Sequence, residues 1–250
     1  HRHCSNTIIC YFICSIFILS LFKIFLFQNI EYYQYFLLFY LILTACIVKI
    51  FFSRDSVLLL SLSFIYLIII QLVYGVNFSV NEFGFFPYFD DSFYFNQGVE
   101  FFYGNYSFDS IFDFITIFTM LFPVKNELSL IGFNWFLSIV ILGLVLKFSR
   151  LINPNFKNIY IYILAFNMLF LESMVVYLRD FFAILFLMLA LIKIIENDKK
   201  FNIYALLSML VRPGTGVVAY MFYFIYNNKF FNTNYKGKFF IISFFLLCVY

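Results

Sequence analysis

Two adjacent carboxylates near the middle of the sequence have the types and spacing of groups that perform chemistry. Asp90 and Asp91 follow one another, and such a pair raises the pKa of each carboxyl and can act as a general base or hold a divalent cation such as Mg²⁺ or Ca²⁺. If the stretch is helical, Tyr94 shares a face with Asp90, whereas Glu100 points nearly opposite Asp91. The alternative is a solvated loop or the start of a helix, where aspartate is favoured.

The dipeptide Arg179-Asp180 places two ionisable groups directly against apolar sequence, because Phe181 and Phe182 follow. Charged side chains at membrane depth are costly, and they usually face a water-filled cavity or a partner. The alternatives are a local ion pair between Arg179 and Asp180, or an arginine that extends to the outer lipid head groups.

A third candidate is the run Arg212-Pro213-Gly214-Thr215-Gly216. Proline interrupts a helix, and Thr215 can cap the helix that follows. A helix start with exposed N–H groups beside an arginine predicts an anion site, whereas the alternative is a proline kink with an arginine reaching to the interface. Two arginines and an acidic pair together suggest a phosphate-bearing lipid with a base beside it.

The composition determines which elements must position these residues. The chain has 250 residues, of which 64% are hydrophobic and 12% charged, and its mean hydropathy is +0.96. Soluble domains do not reach such values. The apolar runs are continuous rather than alternating, which favours helices over a membrane barrel. We therefore expect an all-α protein, a polytopic transmembrane helix bundle with about 8 spans.

The predicted bundle forms one integral membrane domain, residues 1–250, with an outer loop at 77–127 between the third and fourth spans. The loop carries seven of the thirteen acidic residues and two aromatic-rich stretches that could lie as short helices in the interface. Because the sequence stops inside an apolar run, Phe239–Tyr250, we expect a fragment of a longer protein. The predicted spans are Thr7–Phe27, Tyr33–Phe52, Val57–Val76, Leu128–Phe148, Asn158–Leu171, Met174–Ile195, Phe201–Tyr226 (broken) and Phe239 onward.

Lysine and arginine in the short loops predict the orientation. If the spans alternate, most of these residues fall on one side, which is then cytoplasmic together with the N-terminus. Lys229, Lys236 and Lys238 conflict with this pattern if residues 201–226 cross once. Two half-helices that enter and return would remove the conflict, and a single kinked crossing is the alternative. The net charge of +3 comes from these loops and gives no indication of nucleic-acid binding.

Three short motifs, taken in order, resemble the EpsG/Wzy-type polymerases of bacterial exopolysaccharide and O-antigen. The first is Asp91-Ser92-Phe93-Tyr94, similar to an outer-loop D-x-x-Y element of that family. The second is Arg179-Asp180-Phe181-Phe182-Ala183, similar to an R-x-x-x-A helix start. The third is Arg212-Pro213, which stands where the family often has a histidine. The acidic pair with Tyr94 and the Arg-Pro also partly resembles the GT-C membrane glycosyltransferases.

This resemblance implies a bacterial inner-membrane enzyme that transfers or polymerises sugars carried on polyprenyl-(di)phosphate. By the same implication Asp91 or Asp90 activates the acceptor hydroxyl, and Arg179 and Arg212 bind the departing lipid phosphate. The implied substrate contacts are Tyr94, Glu100, Asp180 and Thr215. Neither a cofactor nor a metal is required, although the acidic pair could hold a divalent cation.

Two other functions fit the same residues. One is a GT-C transferase that adds a single sugar from a polyprenyl-phosphate donor. The other is a transporter or lipid-sugar flippase without bond chemistry, in which Arg212-Pro213-Gly214 is a broken-helix binding site. The abundance of Phe, Ile, Asn, Tyr and Lys suggests an AT-rich genome and hence a bacterium.

Overall fold

The computed structural model of the protein describes residues 2–25, 33–80, 104, 127–167, 170–171 and 179–227. These residues form α-helices and one short 3-10 helix and contain no β-strand, which confirms the prediction of an all-α protein for this part of the chain. The elements are α1 (Arg2–Phe25), α2 (Tyr33–Phe51), the 3-10 helix (Ser53–Asp55), α3 (Ser56–Val80), α4 (Glu127–Ile152), α5 (Ile159–Ala165), α6 (Arg179–Ile195), α7 (Phe201–Val211) and α8 (Pro213–Asn227).

Most helices begin and end close to the predicted bounds, because apolar runs without proline are continuous helix formers in these segments. Helix α3 continues to Val80 and so includes the first four residues of the predicted outer loop. Two helices of the described part are long and apolar enough to cross a membrane. Their apolar windows are Ser53–Leu72 and Gly132–Ile152, with mean hydropathies of 2.1 and 2.0.

The described helices belong to two compact units. The first contains α1, α2, α3, the part of α4 up to Gly143, and Ala165 with the described residues that follow it up to Leu171. The second contains α4 from Leu144, α5 up to Leu164, and α6, α7 and α8. The prediction of one integral membrane domain stays a prediction.

Ser63 on α3 lies at the centre of the hydrogen bonds that join the helices of the first unit. Its hydroxyl lies 2.8 Å from the hydroxyl of Tyr11 on α1, and its backbone oxygen accepts a 2.9 Å hydrogen bond from Nε1 of Trp135 on α4. All three residues are buried. Hydrogen bonds between helices in an apolar interior fix both the partners and their register, because an unpaired polar group there is costly.

Helices α2 and α4 run parallel in the first unit. A methyl group added at Gly132 would overlap the ring of Tyr40, and one added at Gly143 would lie 2.7 Å from the ring of Phe52. The residue numbers increase together: Gly132 meets Tyr40 of α2, and the later Gly143 meets Phe52, which directly follows α2. The two helices therefore run in the same direction. If each long helix runs opposite to the one before it, α2 and α4 are expected to run in the same direction.

Helix α5 ends at Ala165 and is therefore shorter than the predicted fifth span, Asn158–Leu171. The hydroxyl of Tyr66 on α3 donates a 2.7 Å hydrogen bond to the backbone oxygen of Ala165. This side chain satisfies a carbonyl that the end of a helix leaves without an intrahelical partner. Beyond it, the N–H of Leu171 donates to the backbone oxygen of Asn167.

We expect Trp135→Phe to lower the free energy of unfolding by about 1 kcal/mol, since it removes one buried interhelical hydrogen bond and keeps most of the ring packing. Unfolding by sodium dodecyl sulfate, followed by circular dichroism, measures the change. Tyr162→Phe is the matched control, because it removes a hydroxyl from an exposed position of α5. Equal stability losses in the two variants would contradict the role of the Trp135–Ser63 bond.

Candidate functional site

The sequence Arg212-Pro213 separates α7 from α8. Arg212 is extended, with φ −147° and ψ 110°, and its N–H donates a 2.9 Å hydrogen bond to the backbone oxygen of Ser208. Pro213 is the first residue of α8. The residue before a proline avoids helical φ and ψ angles. Proline has no N–H, so at the first helical position, where an N–H has no intrahelical partner, it costs no hydrogen bond. The tripeptide Arg212–Gly214, exposed at all three residues, is called the hairpin turn below.

The chain reverses at the hairpin turn, so α7 and α8 form an antiparallel pair. Phe201, at the start of α7, stacks on Tyr223 near the end of α8 with ring centroids 4.4 Å apart. Closer to the turn, a Cβ at Gly216 would overlap Met209 and lie 2.8 Å from the backbone oxygen of Ala205. Residues 201–226 therefore form two antiparallel helices rather than one kinked helix, and their re-entry into a membrane stays a prediction.

Two buried hydroxyl groups hold the hairpin turn and tie it to α6. The Ser208 hydroxyl lies 2.7 Å from that of Thr215 and 2.9 Å from the backbone oxygen of Ala183. The Thr215 hydroxyl donates to the backbone oxygen of Arg212 at 2.7 Å. It also lies 3.1 Å from the backbone oxygen of Ser208. Ser208 and Thr215, called the hydroxyl latch below, thus connect α6, α7, α8 and the backbone of Arg212.

The hydroxyl latch also fixes the register between α6 and α7. These helices are joined by the five residues 196–200 and run antiparallel, with Ser208 beside Ala183. Arg212 comes four residues after Ser208, and Arg179 comes four residues before Ala183. One helical turn on each helix therefore brings the backbones of Arg179 and Arg212 to the same level, at the same end of the second unit.

Lysines dominate the opposite end of this unit. Nζ of Lys193 lies 2.7 Å from Glu196 and 3.2 Å from Asp198, and Nζ of Lys147 lies 3.4 Å from Glu196. The hydrogen bond from Lys193 holds the pKa of Glu196 below its usual range, and the backbone N–H of Lys200 does the same for Asp198. Both acids are charged at neutral pH, yet basic groups outnumber them. This cationic end comprises Lys147, Arg150, Lys157, Lys193, Lys199 and Lys200.

Helix α8 returns to the cationic end. Phe222 packs on Phe148 of α4 with ring centroids 6.0 Å apart, and Phe148 is adjacent to Lys147. Lys229, Lys236 and Lys238 follow α8 in the sequence. These three lysines lie outside the described residues, so the side on which they lie stays a prediction.

The structure locates some of the predicted site residues and not others. Asp90, Asp91, Tyr94 and Glu100 lie outside the described residues, as does the expected span from Phe239. Arg179 and Asp180 form the first turn of α6, and their side chains are likewise outside the description.

Thr215 is buried, and its hydroxyl is engaged inside the hairpin. Its predicted capping bond to a helix N–H is replaced by donation to the backbone oxygen of Arg212.

Ser208 is a site residue to which the sequence analysis gave no role, and Gly216 was named there only as part of the run Arg212–Gly216. Ser208 is a serine inside an otherwise apolar helix, and Gly216 follows the proline by three residues. The sequence did contain a signal for Ser208. It is a polar residue shortly before a proline, in a segment expected to lie in a membrane. Its partners, Ala183 and Thr215, are not readable from spacing.

The hairpin turn presents a guanidinium to an anion. Arg212, Pro213 and Gly214 are exposed there, but Pro213 has no N–H, and the N–H groups of Arg212 and Thr215 donate to the backbone oxygens of Ser208 and Arg212, so the arginine side chain is the anion contact that this turn provides. Within the described ranges no three His, Cys, Asp or Glu side chains come close enough together to hold a metal ion. The cation suggested for Asp90 and Asp91 stays a prediction, because that pair lies outside these ranges.

No protein-family model, curated protein or solved structure matches the chain. The resemblance to the EpsG/Wzy-type polymerases therefore stays a prediction.

We expect Thr215→Val to weaken anion binding at the hairpin turn about tenfold, since loss of one buried hydrogen bond costs about 1.4 kcal/mol in the positioning of Arg212. Valine keeps the shape of threonine but cannot donate to the backbone oxygen of Arg212. Thr215→Ser retains the hydroxyl and should restore most of the binding. Titration with dodecyl phosphate measures the affinity, and equal binding by all three proteins would contradict the positioning role.

Proposed function

We propose that the protein is a polytopic inner-membrane enzyme of a bacterium that transfers or polymerises sugars carried on polyprenyl-(di)phosphate. Its helices would form about eight spans, with one outer loop between the third and the fourth. The product would be a surface polysaccharide such as an exopolysaccharide, a capsule or O-antigen. The polymerase resemblance supplies the reaction class, and the geometry of the second unit supplies the physical support.

The observation that carries the proposal is the common level of Arg179 and Arg212. Their registers are linked by the hydrogen bond from Ser208 to the backbone oxygen of Ala183. Two arginines whose backbones lie at one level suit a diphosphate, since a guanidinium can form bidentate hydrogen bonds with phosphate oxygens. In a glycosyl transfer the departing phosphate gains negative charge, so cations placed there lower the barrier.

The charge distribution supports an orientation for the site. The cationic end, with Lys147 and Lys193 among its residues, would be cytoplasmic by the rule that basic loops stay inside. The N-terminus would be on the same side. The level of Arg179 and Arg212 is opposite, so it would face the side proposed for the outer loop and for the base, Asp91 or Asp90.

Each residue then has a role in the proposed reaction. Asp91 or Asp90 takes the proton of the acceptor hydroxyl, and this oxygen forms the new bond to the anomeric carbon of the donor sugar. The bond from that carbon to the lipid phosphate breaks, and the phosphate leaves with the electron pair, held by Arg179 and Arg212. Tyr94 stacks on a sugar, and Glu100 and Asp180 contact sugar hydroxyls or the phosphate.

The antiparallel half-helices also favour a second candidate, a transporter or flippase for lipid-linked sugars. Half-helices that meet inside a membrane form substrate sites in secondary transporters. Such a protein would move the lipid-linked sugar across vesicles without forming a glycosidic bond. A single-sugar GT-C transferase is the other alternative, and its product would carry one added sugar in place of a ladder of repeats.

The test of the proposed function uses Asp91→Asn and Arg179→Ala in cells that make the polymer. Each variant should abolish polymer or glycolipid product while the protein still inserts, because one lacks the base and the other lacks a phosphate contact. Asp109→Asn, in the same loop, and Arg54→Ala, exposed beside α3, are the matched controls. Normal product from both site variants would refute the assignment.

A further inference from the structure

An open apolar groove runs along one face of the hairpin. Its volume is about 530 Å³, and it is lined by Met209 on α7 and by one face of α8. The α8 residues recur at helical spacing: Val217, Tyr220, Met221, Phe224 and Ile225. Volumes of 300 to about 1,000 Å³ with apolar walls are typical of sites that take an organic ligand.

The groove begins next to the hairpin turn. Met209 precedes Arg212 by three residues, and Val217 follows Pro213 by four, so each lies about one helical turn from it. From there the groove extends along α8 past Phe224, which is 67% exposed. The exposed Arg212 therefore lies about one helical turn from one end of the open groove, and the six residues that line the groove are uncharged.

The second unit allows this close arrangement because Gly216 lies against Met209. The missing Cβ lets α8 approach the backbone of α7 at Ala205 and Met209. The groove wall and the hairpin turn are thus parts of one closely packed pair of helices. A ligand that spans both would meet surfaces whose relative position is fixed by backbone contact and by the hydroxyl latch.

We infer that this groove binds the hydrocarbon chain of a phosphate-bearing lipid whose phosphate lies at Arg212. The inference rests on the proposed function for the phosphate position and adds the path of the chain along α8. Charge complementarity selects this occupant. A neutral membrane lipid gains nothing from Arg212, and an apolar helix of this chain or of a second copy brings no anion to it.

A spectroscopic test uses the full chain in phosphatidylcholine nanodiscs, with its native cysteines replaced by serine. Met221→Cys in the groove carries a bimane fluorophore. Ile203→Cys, 59% exposed on the same hairpin but outside the groove, carries it in the control. The probes are stearyl phosphate and stearyl alcohol, each with a nitroxide near the end of the chain, which quenches bimane on contact.

The phosphate probe should quench the fluorophore at 221 at least threefold more than the alcohol probe, and the two should quench equally at 203. Arg212→Ala should remove the excess at 221. Equal quenching by both probes at 221 would mean bulk lipid only and would overturn the inference, as would an excess that survives Arg212→Ala.

Protection of position 221 from both probes would also overturn the inference, because it would mean that a protein segment covers the groove. Since the measurement needs no sugar transfer, a specific signal from a protein that makes no glycosidic bond would refute only the proposed function.

Discussion

Replacing Arg212 by alanine is expected to reduce product formation by about 100-fold or more, since a preorganised group that stabilises developing charge contributes a factor of this order. The side chain is exposed at the hairpin turn, and alanine retains the N–H that donates to Ser208. The fold should therefore persist while the phosphate loses a cation. Arg212→Lys should recover only part of the activity, because lysine supplies a point charge without the bidentate fork.

Product ladders on polyacrylamide gels, normalised to the amount of inserted protein, measure this loss. Lys200→Ala is the control, since it removes an exposed cation near the opposite end of α7. If Arg212→Ala retained more than half of the product, or if Lys200→Ala lost as much, Arg212 would not be a phosphate contact.

Replacing Gly216 by valine is expected to lower the free energy of unfolding by about 3 kcal/mol or more, which is the upper range for forcing extra volume into a packed interior. The new Cβ would overlap Met209 and lie 2.8 Å from the backbone oxygen of Ala205. Backbone atoms cannot rotate away as a flexible side chain can, so α7 and α8 must separate.

Gly214→Ala is the control for Gly216→Val, because a Cβ at Gly214 meets nothing within 4 Å. Detergent unfolding curves should show a large loss for Gly216→Val and little change for Gly214→Ala. Similar stability of Gly216→Val and the unaltered protein would contradict the close antiparallel packing of the hairpin.

Sequence reasoning predicted the helical class and most helix bounds because both depend on local signals. Long apolar runs form α3 and α4, and Pro213 starts a new helix because its neighbour Arg212 cannot stay helical. The end of α5 at Ala165 was not predicted, and the carbonyl there accepts a hydrogen bond from Tyr66, a partner that is distant in sequence.

The hairpin was one of two open interpretations. The apolar runs on either side of Pro213 are equally compatible with one kinked helix and with a chain that reverses direction. What decides between them is packing between residues far apart in the chain. Phe201 stacks on Tyr223, and Gly216 leaves room for Met209. The proposed phosphate contacts were predicted by residue type, but their common level follows only from the Ser208–Ala183 bond.

The most direct test of the account is a pair of distances between spin labels in the nanodisc-embedded protein. One variant carries labels at Arg179→Cys and Arg212→Cys, and the other at Arg179→Cys and Lys200→Cys. The account predicts a clearly shorter distance for the first pair, since the second is separated by the length of α6, about 25 Å. A 179–212 distance equal to or longer than the 179–200 distance would show that the two arginines do not share one end of the unit, and the phosphate site would be refuted.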